Sequence, residues 1–221
     1  MDFLKKLPGT ILVLGICYVL PFLNFSVFVD LINIDLLMHW QIFVPMVVCT
    51  IVYLSQPSTS SDQIRNPEDK NSMLYLAIAT CLSQLVNVVE WAYFGNTDFA
   101  FDLIALAGIF TMIGGLFIRV WSIHLLGKFF GNDVRILPNH KLIQEGPYAH
   151  VRHPSYTGAF LVALGIGIFL HAWFGTVLTA CMLFAAYSYR IQVEEITMLR
   201  GFGKIYEDYQ RRSYKLFPPI W

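Results

Sequence analysis

The chain has 221 residues, 56% of them hydrophobic and only 14% charged, with a mean hydropathy of +0.57. A soluble domain of this length exposes more charge, so the composition points to an integral membrane protein. Fifteen basic against fifteen acidic residues leave no net charge, which removes nucleic-acid binding from the leading functions, and Cys17, Cys49, Cys81 and Cys181 stand alone in separate apolar segments without CxxC or Cys/His spacing, which leaves no motif for a disulfide framework or a metal site.

Lys5 and Lys6 before an apolar run resemble a signal peptide. Pro8, Pro21 and Asn24 interrupt the run and no small-residue cleavage site follows, so a retained first span over Leu7 to Val29 is expected. A spanning helix needs about 20 apolar residues. Met38 to Leu54 supplies a second, shorter span with Pro45 as a kink. Ser55 to Asn71 is charged, serine-rich and carries two prolines, the pattern of an exposed loop. Ser72 to Phe94 and Phe101 to Leu126 are the third and fourth spans, joined by a short turn at Gly95 to Asp98. Gly108, Gly114, Gly115, Gly165 and Gly167 allow helices either to pack closely or to part. Gly127 to Tyr156 is a long polar connection. Ala159 to Tyr189 is too long for one crossing, and His171 to Gly175 at its middle predicts a helical hairpin of two short ones. From Arg190 onward a charged, amphipathic helix leaves the membrane and ends before Pro218-Pro219.

The expected fold is therefore all-α, a multi-pass transmembrane bundle of about six crossings with the last two forming the hairpin. With six crossings both termini, the 55–71 loop and the 127–156 connection share one side. All fifteen Lys and Arg fall on that side, or, for Arg119, in the adjoining half of the fourth span. The positive-inside rule makes that side cytoplasmic. Which membrane is involved, and the oligomeric state, are not encoded in this pattern.

Three polar groups converge there. Gly146 to Gly158 packs two prolines, two histidines, two tyrosines and an arginine between apolar segments. Arg190 and Glu194 are i, i+4 on one helix face with Glu195 beside them, a spacing that serves a simple interfacial pair as well as a binding site. Arg119 lies inside a span, where a charge is costly and is a functional candidate, although it can also snorkel to headgroups. Gln84, Asn87 and Glu90 have the character of helix–helix hydrogen-bonding residues, and His124 that of a packing or interfacial one.

Gly146-Pro147-Tyr148, Arg152-His153-Pro154-Ser155-Tyr156-Thr157-Gly158, Glu194-Glu195 and a Tyr206-Glu207-Asp208-Tyr209 tail resemble the isoprenylcysteine carboxyl methyltransferase family. That family belongs to a wider group of integral-membrane methyltransferases that includes phospholipid N-methyltransferases. The resemblance covers residues 108–219. It divides the chain into unassigned N-terminal spans, 1–107, and a catalytic region, 108–221. It implies S-adenosylmethionine as cofactor, with Arg135, His140, Lys141, Leu142, Ile143, Tyr148, His153, Pro154, Ser155, Tyr156 and Glu194 in contact with it. It further implies that Arg190 holds the substrate and that Arg119 assists the reaction. The implied partners are a lipidic or prenylated acceptor substrate and membrane lipids. The chain lacks the GxGxxG of the Rossmann dinucleotide fold. Two arginines suit a carboxylate acceptor, which they bind bidentately and which needs no base. N-methylation of an aminophospholipid is the alternative within the class and requires Glu195 or His153 as base. A non-catalytic lipid-binding membrane protein is the alternative outside it.

Overall fold

The computed structural model describes residues 39–55, 71–95, 101–131, 141–219 and 221. The expected first span, nearly all of the 55–71 loop, and Arg135 and His140 lie outside the described residues. The described helices are α1 (Trp40–Leu54), α2 (Ser72–Tyr93), α3 (Leu103–Leu126), α4 (Pro154–Phe169), α5 (Trp173–Phe202) and α6 (Lys204–Arg212), with single 3₁₀ turns at Gly127–Phe129 and Gly146–Ala149. No strand occurs among them, only an isolated parallel bridge between Val151 and Tyr214.

Three of these helices are long and apolar enough to cross a membrane. α2, α3 and α5 have 22, 24 and 30 residues, or about 33, 36 and 45 Å at the helical rise against a hydrocarbon core of about 30 Å. α1 and α4 are shorter apolar helices. The hairpin expected between 159 and 189 is present, turning at Leu170 to Ala172, but its second arm is not short. α5 runs unbroken through Arg190 to Phe202 and stops at Gly203, whose φ of 52° suits glycine. It contains no proline, and no glycine between Gly175 and Gly201, so nothing interrupts the ladder where the sequence turns polar. α4 likewise begins earlier than the expected Ala159. Pro154 occupies its first turn, where a missing N–H costs nothing.

α3 and α4 meet backbone to backbone, antiparallel, through glycines two turns apart on each helix. A Cβ on Gly115 would stand 2.6 Å from Gly158 O, and one on Gly165 would stand 2.8 Å from Gly108 O. In lipid, such close approach replaces the hydrophobic effect as the source of association. Gly114 takes no part; a Cβ there meets nothing within 4 Å. Gly115→Leu is therefore expected to destabilise the bundle by about 3 kcal/mol or more, read as a lower unfolding midpoint in detergent. Gly114→Leu, one residue away on the open face, is expected to stay within about 0.5 kcal/mol of wild type.

Polar ties fix the remaining helices. Asn87 Nδ2 on α2 donates to Thr179 Oγ1 on α5 at 3.2 Å. Glu90 accepts from the amides of Phe174 at 3.1 Å and Gly175 at 2.5 Å, so its carboxylate caps the N-terminus of α5 and complements the helix dipole. Asp102 caps α3 through Ala105 N at 2.7 Å and meets His171 Nε2 at 3.0 Å. At the opposite end Arg190 donates to Ser72 Oγ at 2.7 Å, joining α5 to the first residue of α2. His124 lies on the last turn of α3, outside its buried face. After α6 the chain runs beside residues 150–153 and buries Leu216.

Candidate active site

The cleft forms where the end of α3, the loop before α4, the charged end of α5 and α6 come together. Gly146, at φ 57°, turns the chain against α3; a side chain there would strike Leu125 Cδ1 at 2.7 Å and the Trp121 ring at 3.1 Å. The turn buries Tyr148, whose hydroxyl reaches Ser122 O at 3.4 Å and whose carbonyl accepts from Tyr209 OH at 2.6 Å. His153 precedes α4, and Ser155 and Tyr156 follow in its first turn. Glu194 approaches from α5.

The result is an open cleft of about 790 Å³, its mouth included, lined by Lys141, Leu142, Ile143, Tyr148, His153, Ser155, Tyr156 and Glu194. Of the residues that the resemblance assigns to the cofactor, these eight line it. Pro154 is buried at the start of α4 and does not line it. Of the remaining walls, Leu126, Phe130 and Gly131 at and beyond the end of α3 and Met198 lie outside the sequence motifs, whereas Arg152, Tyr206 and Tyr209 stand in them without an assigned role. Met198 lies one turn after Glu194, and Tyr206 and Tyr209 lie i, i+3, so helical periodicity carries a signal for all three. Burial pushes the phenols of Tyr148 and Tyr206 upward and that of Tyr209 up to about 12. They stay neutral aromatic walls at physiological pH.

Glu194 is the electrostatic centre. Its Oε1 accepts from Arg190 Nε at 2.8 Å and from the Tyr156 hydroxyl, and its Oε2 stands 3.3 Å from His153 Nδ1. The Tyr156 ring lies between His153, parallel at 5.8 Å, and Tyr187 at 5.0 Å. Arg190 is 1% exposed, and Nε also reaches the Tyr156 hydroxyl at 3.3 Å. It faces a carboxylate of its own protein. Arg119, 4% exposed, does not line the cleft; it lies on the α3–α4 seam, where Nη1 donates to Ser155 O at 3.0 Å. Its Nε has no hydrogen-bond partner among the described residues.

Burial alone would lower the pKa of His153, but Glu194 and Glu195 outweigh it and raise the ring above its ordinary value. Glu194 is the firmer partner, because Nε2 stands 3.5 Å from Glu195 Oε1 without a hydrogen bond. A raised histidine contributes stability that is fully present below about pH 6.5, its unfolded value, and is lost as pH rises through the higher folded value. The stability advantage of wild type over His153→Gln is therefore expected to shrink on raising pH above about 6.5. Thermal unfolding of both proteins across that range checks it, and a difference independent of pH contradicts it.

Residues 106–200 match the sequence model of the Isoprenylcysteine carboxyl methyltransferase (ICMT) family. A protein-S-isoprenylcysteine O-methyltransferase of Schizosaccharomyces pombe is 32% identical over 140 residues, which is 62% of this chain and 59% of that protein. A probable protein-S-isoprenylcysteine O-methyltransferase of Oryza sativa subsp. indica is 32% identical over 119 residues, 53% of this chain and 62% of that protein. The chain thus spans about three-fifths of the length of these curated relatives. The solved structure of the eukaryotic intramembrane Ras methyltransferase ICMT superimposes with a TM-score of 0.55 at 22% identity, covering 96% of this chain and 74% of that one, which establishes a shared fold. Over residues 106–200 the chain is similar to the isoprenylcysteine carboxyl methyltransferase family.

Proposed function

We propose that the cleft binds S-adenosylmethionine at the cytoplasmic membrane surface and that the protein methylates the carboxylate of an isoprenylcysteine or a comparable lipidic acid. The observation that carries this reading is the convergence of Tyr148, His153, Ser155, Tyr156 and Glu194 on one cleft. These residues fit such a donor. Neutral phenols suit an adenine ring and attract a sulfonium cation by about 2 kcal/mol when water is excluded. A carboxylate held by Arg190 and Tyr156 suits an ammonium or a ribose diol. When bound, the donor supplies an electrophilic methyl group, and the protein's task is orientation.

A carboxylate acceptor is already ionised, so this chain needs no general base. It must aim the acceptor and exclude water. Arg119 is the group for that, since its buried Nε–H lacks a partner among the described residues and a guanidinium matches a carboxylate in plane. The basic residues that an amine acceptor would need are engaged elsewhere. Glu195 Oε1 pairs with Arg152 Nε at 2.7 Å, and His153 is biased toward its protonated form. Aminophospholipid N-methylation is accordingly the weaker reading.

The test is transfer of labelled methyl from S-adenosylmethionine to a panel of prenylcysteines, fatty acids and aminophospholipids by the full chain in lipid. Base-labile label on the prenylcysteine is the expected result. Base-stable label on the aminophospholipid overturns the carboxylate assignment.

A further inference from the structure

The family match ends at residue 200, yet residues 203–217 are tied into the cleft. Gly203 turns the chain into α6, which delivers Tyr206 and Tyr209 to the cleft wall. Past α6, Tyr214 N donates to His150 O at 2.9 Å, Arg152 N to Tyr214 O at 2.8 Å, and His153 N to Lys215 O at 3.1 Å. Thr157 Oγ1 in turn donates to Leu216 O at 2.9 Å. The loop carrying His153 is therefore held on its outer side by the C-terminal segment.

One side chain joins the two halves of this arrangement. Arg152 points Nε at Glu195 Oε1, 2.7 Å away on α5. Its Nη1 donates to Gln210 O at 3.1 Å and to the carbonyl of Ser213, and lies 3.4 Å from Ser213 Oγ. The last carbonyls of a helix carry partial negative charge and want a cation. Arg152 answers both that need and the Glu195 carboxylate, as only a planar fork of donors can. The same Glu195 oxygen stands 3.5 Å from His153 Nε2, and the opposite ring nitrogen faces Glu194. Removing Arg152 would loosen the C-terminal end of α6 and would free Glu195 to turn, shifting His153, whose ring stacks on Tyr156.

We infer that Arg152 is a positioning residue for the methyl-donor cleft, acting through Glu195 and His153, and that α6 with residues 213–217 forms a latch that belongs to the site. This inference rests on the functional reading above. A latch of this kind sets donor affinity and leaves acceptor recognition, which lies on the Arg119 side, alone.

The experiment measures S-adenosylmethionine affinity and acceptor KM for the full chain in detergent–lipid micelles, with wild type, Arg152→Met, Arg152→Lys, Glu195→Gln and the Arg152→Met/Glu195→Gln double variant. Arg152→Met is expected to weaken donor binding by about tenfold or more, the worth of one charge-assisted hydrogen bond. Arg152→Lys, which keeps the charge and loses the fork, should fall between it and wild type, and acceptor KM should move by less than about twofold. The double variant should bind the donor about as well as the worse single one, because the two act as one unit. Multiplying losses in the double variant, equal losses of donor and acceptor affinity, or unchanged donor binding in a helical, monodisperse Arg152→Lys would each overturn the inference. Absence of donor binding by the wild type would overturn the functional reading and the inference with it, whereas wild-type binding that Arg152→Met retains would overturn the inference alone.

Discussion

Arg119→Met is expected to lower methyl transfer by about a thousandfold while leaving S-adenosylmethionine affinity within about twofold. Methionine retains much of the side chain's volume and removes its donors. The lost bond to Ser155 O removes a second, charged donor from a carbonyl in the first turn of α4, a cost of about 1–2 kcal/mol in stability. That is separable from the kinetic effect by measuring donor binding on the same preparation. A parallel drop in donor affinity and turnover would move Arg119 from acceptor alignment to support of the α4 first turn.

Arg190→Met is expected to do the reverse of what the family resemblance implies. With Arg190 read as the substrate-holding group, its loss lowers turnover and spares the cofactor. In the structure it is buried against Glu194 and anchored on Ser72, so its removal leaves a carboxylate without its cation. Breaking a buried pair from one side costs about 3–5 kcal/mol, and the lower end applies because Tyr156 and His153 still face Glu194. Unfolding midpoint, donor affinity and turnover should fall together, and Arg190→Met/Glu194→Gln should recover the stability without the activity. Retained donor affinity in Arg190→Met would restore Arg190 to the acceptor.

The difference between these two expectations shows which physical information the sequence carries. Motif residues close in sequence announce the cleft. Tyr148, His153, Ser155 and Tyr156 come within nine positions, and Glu194 is drawn in by its i, i+4 relation to Arg190. Hydropathy likewise marks α2, α3 and the hairpin, because a membrane demands apolar length regardless of tertiary context. Partners distant in sequence leave no such trace. Ser72 for Arg190, the amides of Phe174 and Gly175 for Glu90, and the α6 carbonyls for Arg152 are set by helix crossings that periodicity does not report. The continuous α5 is hidden for a related reason. A change from apolar to charged marks where a helix leaves lipid, and an intact ladder has no reason to stop there. Among the glycines, Gly108, Gly115 and Gly158 differ from Gly114 only in the face they occupy, which composition cannot distinguish.

The cleft as a methyl-donor site is the claim on which the remaining assignments depend. Calorimetric titration of S-adenosylmethionine into the full chain in detergent, beside Glu194→Ala, tests it most directly. Saturable one-site binding by the wild type is expected, with a loss of about tenfold or more in the variant, as on deleting a charged hydrogen-bond acceptor. No binding by a folded wild type, or equal binding by Glu194→Ala, would contradict the assignment of the cleft to the methyl donor.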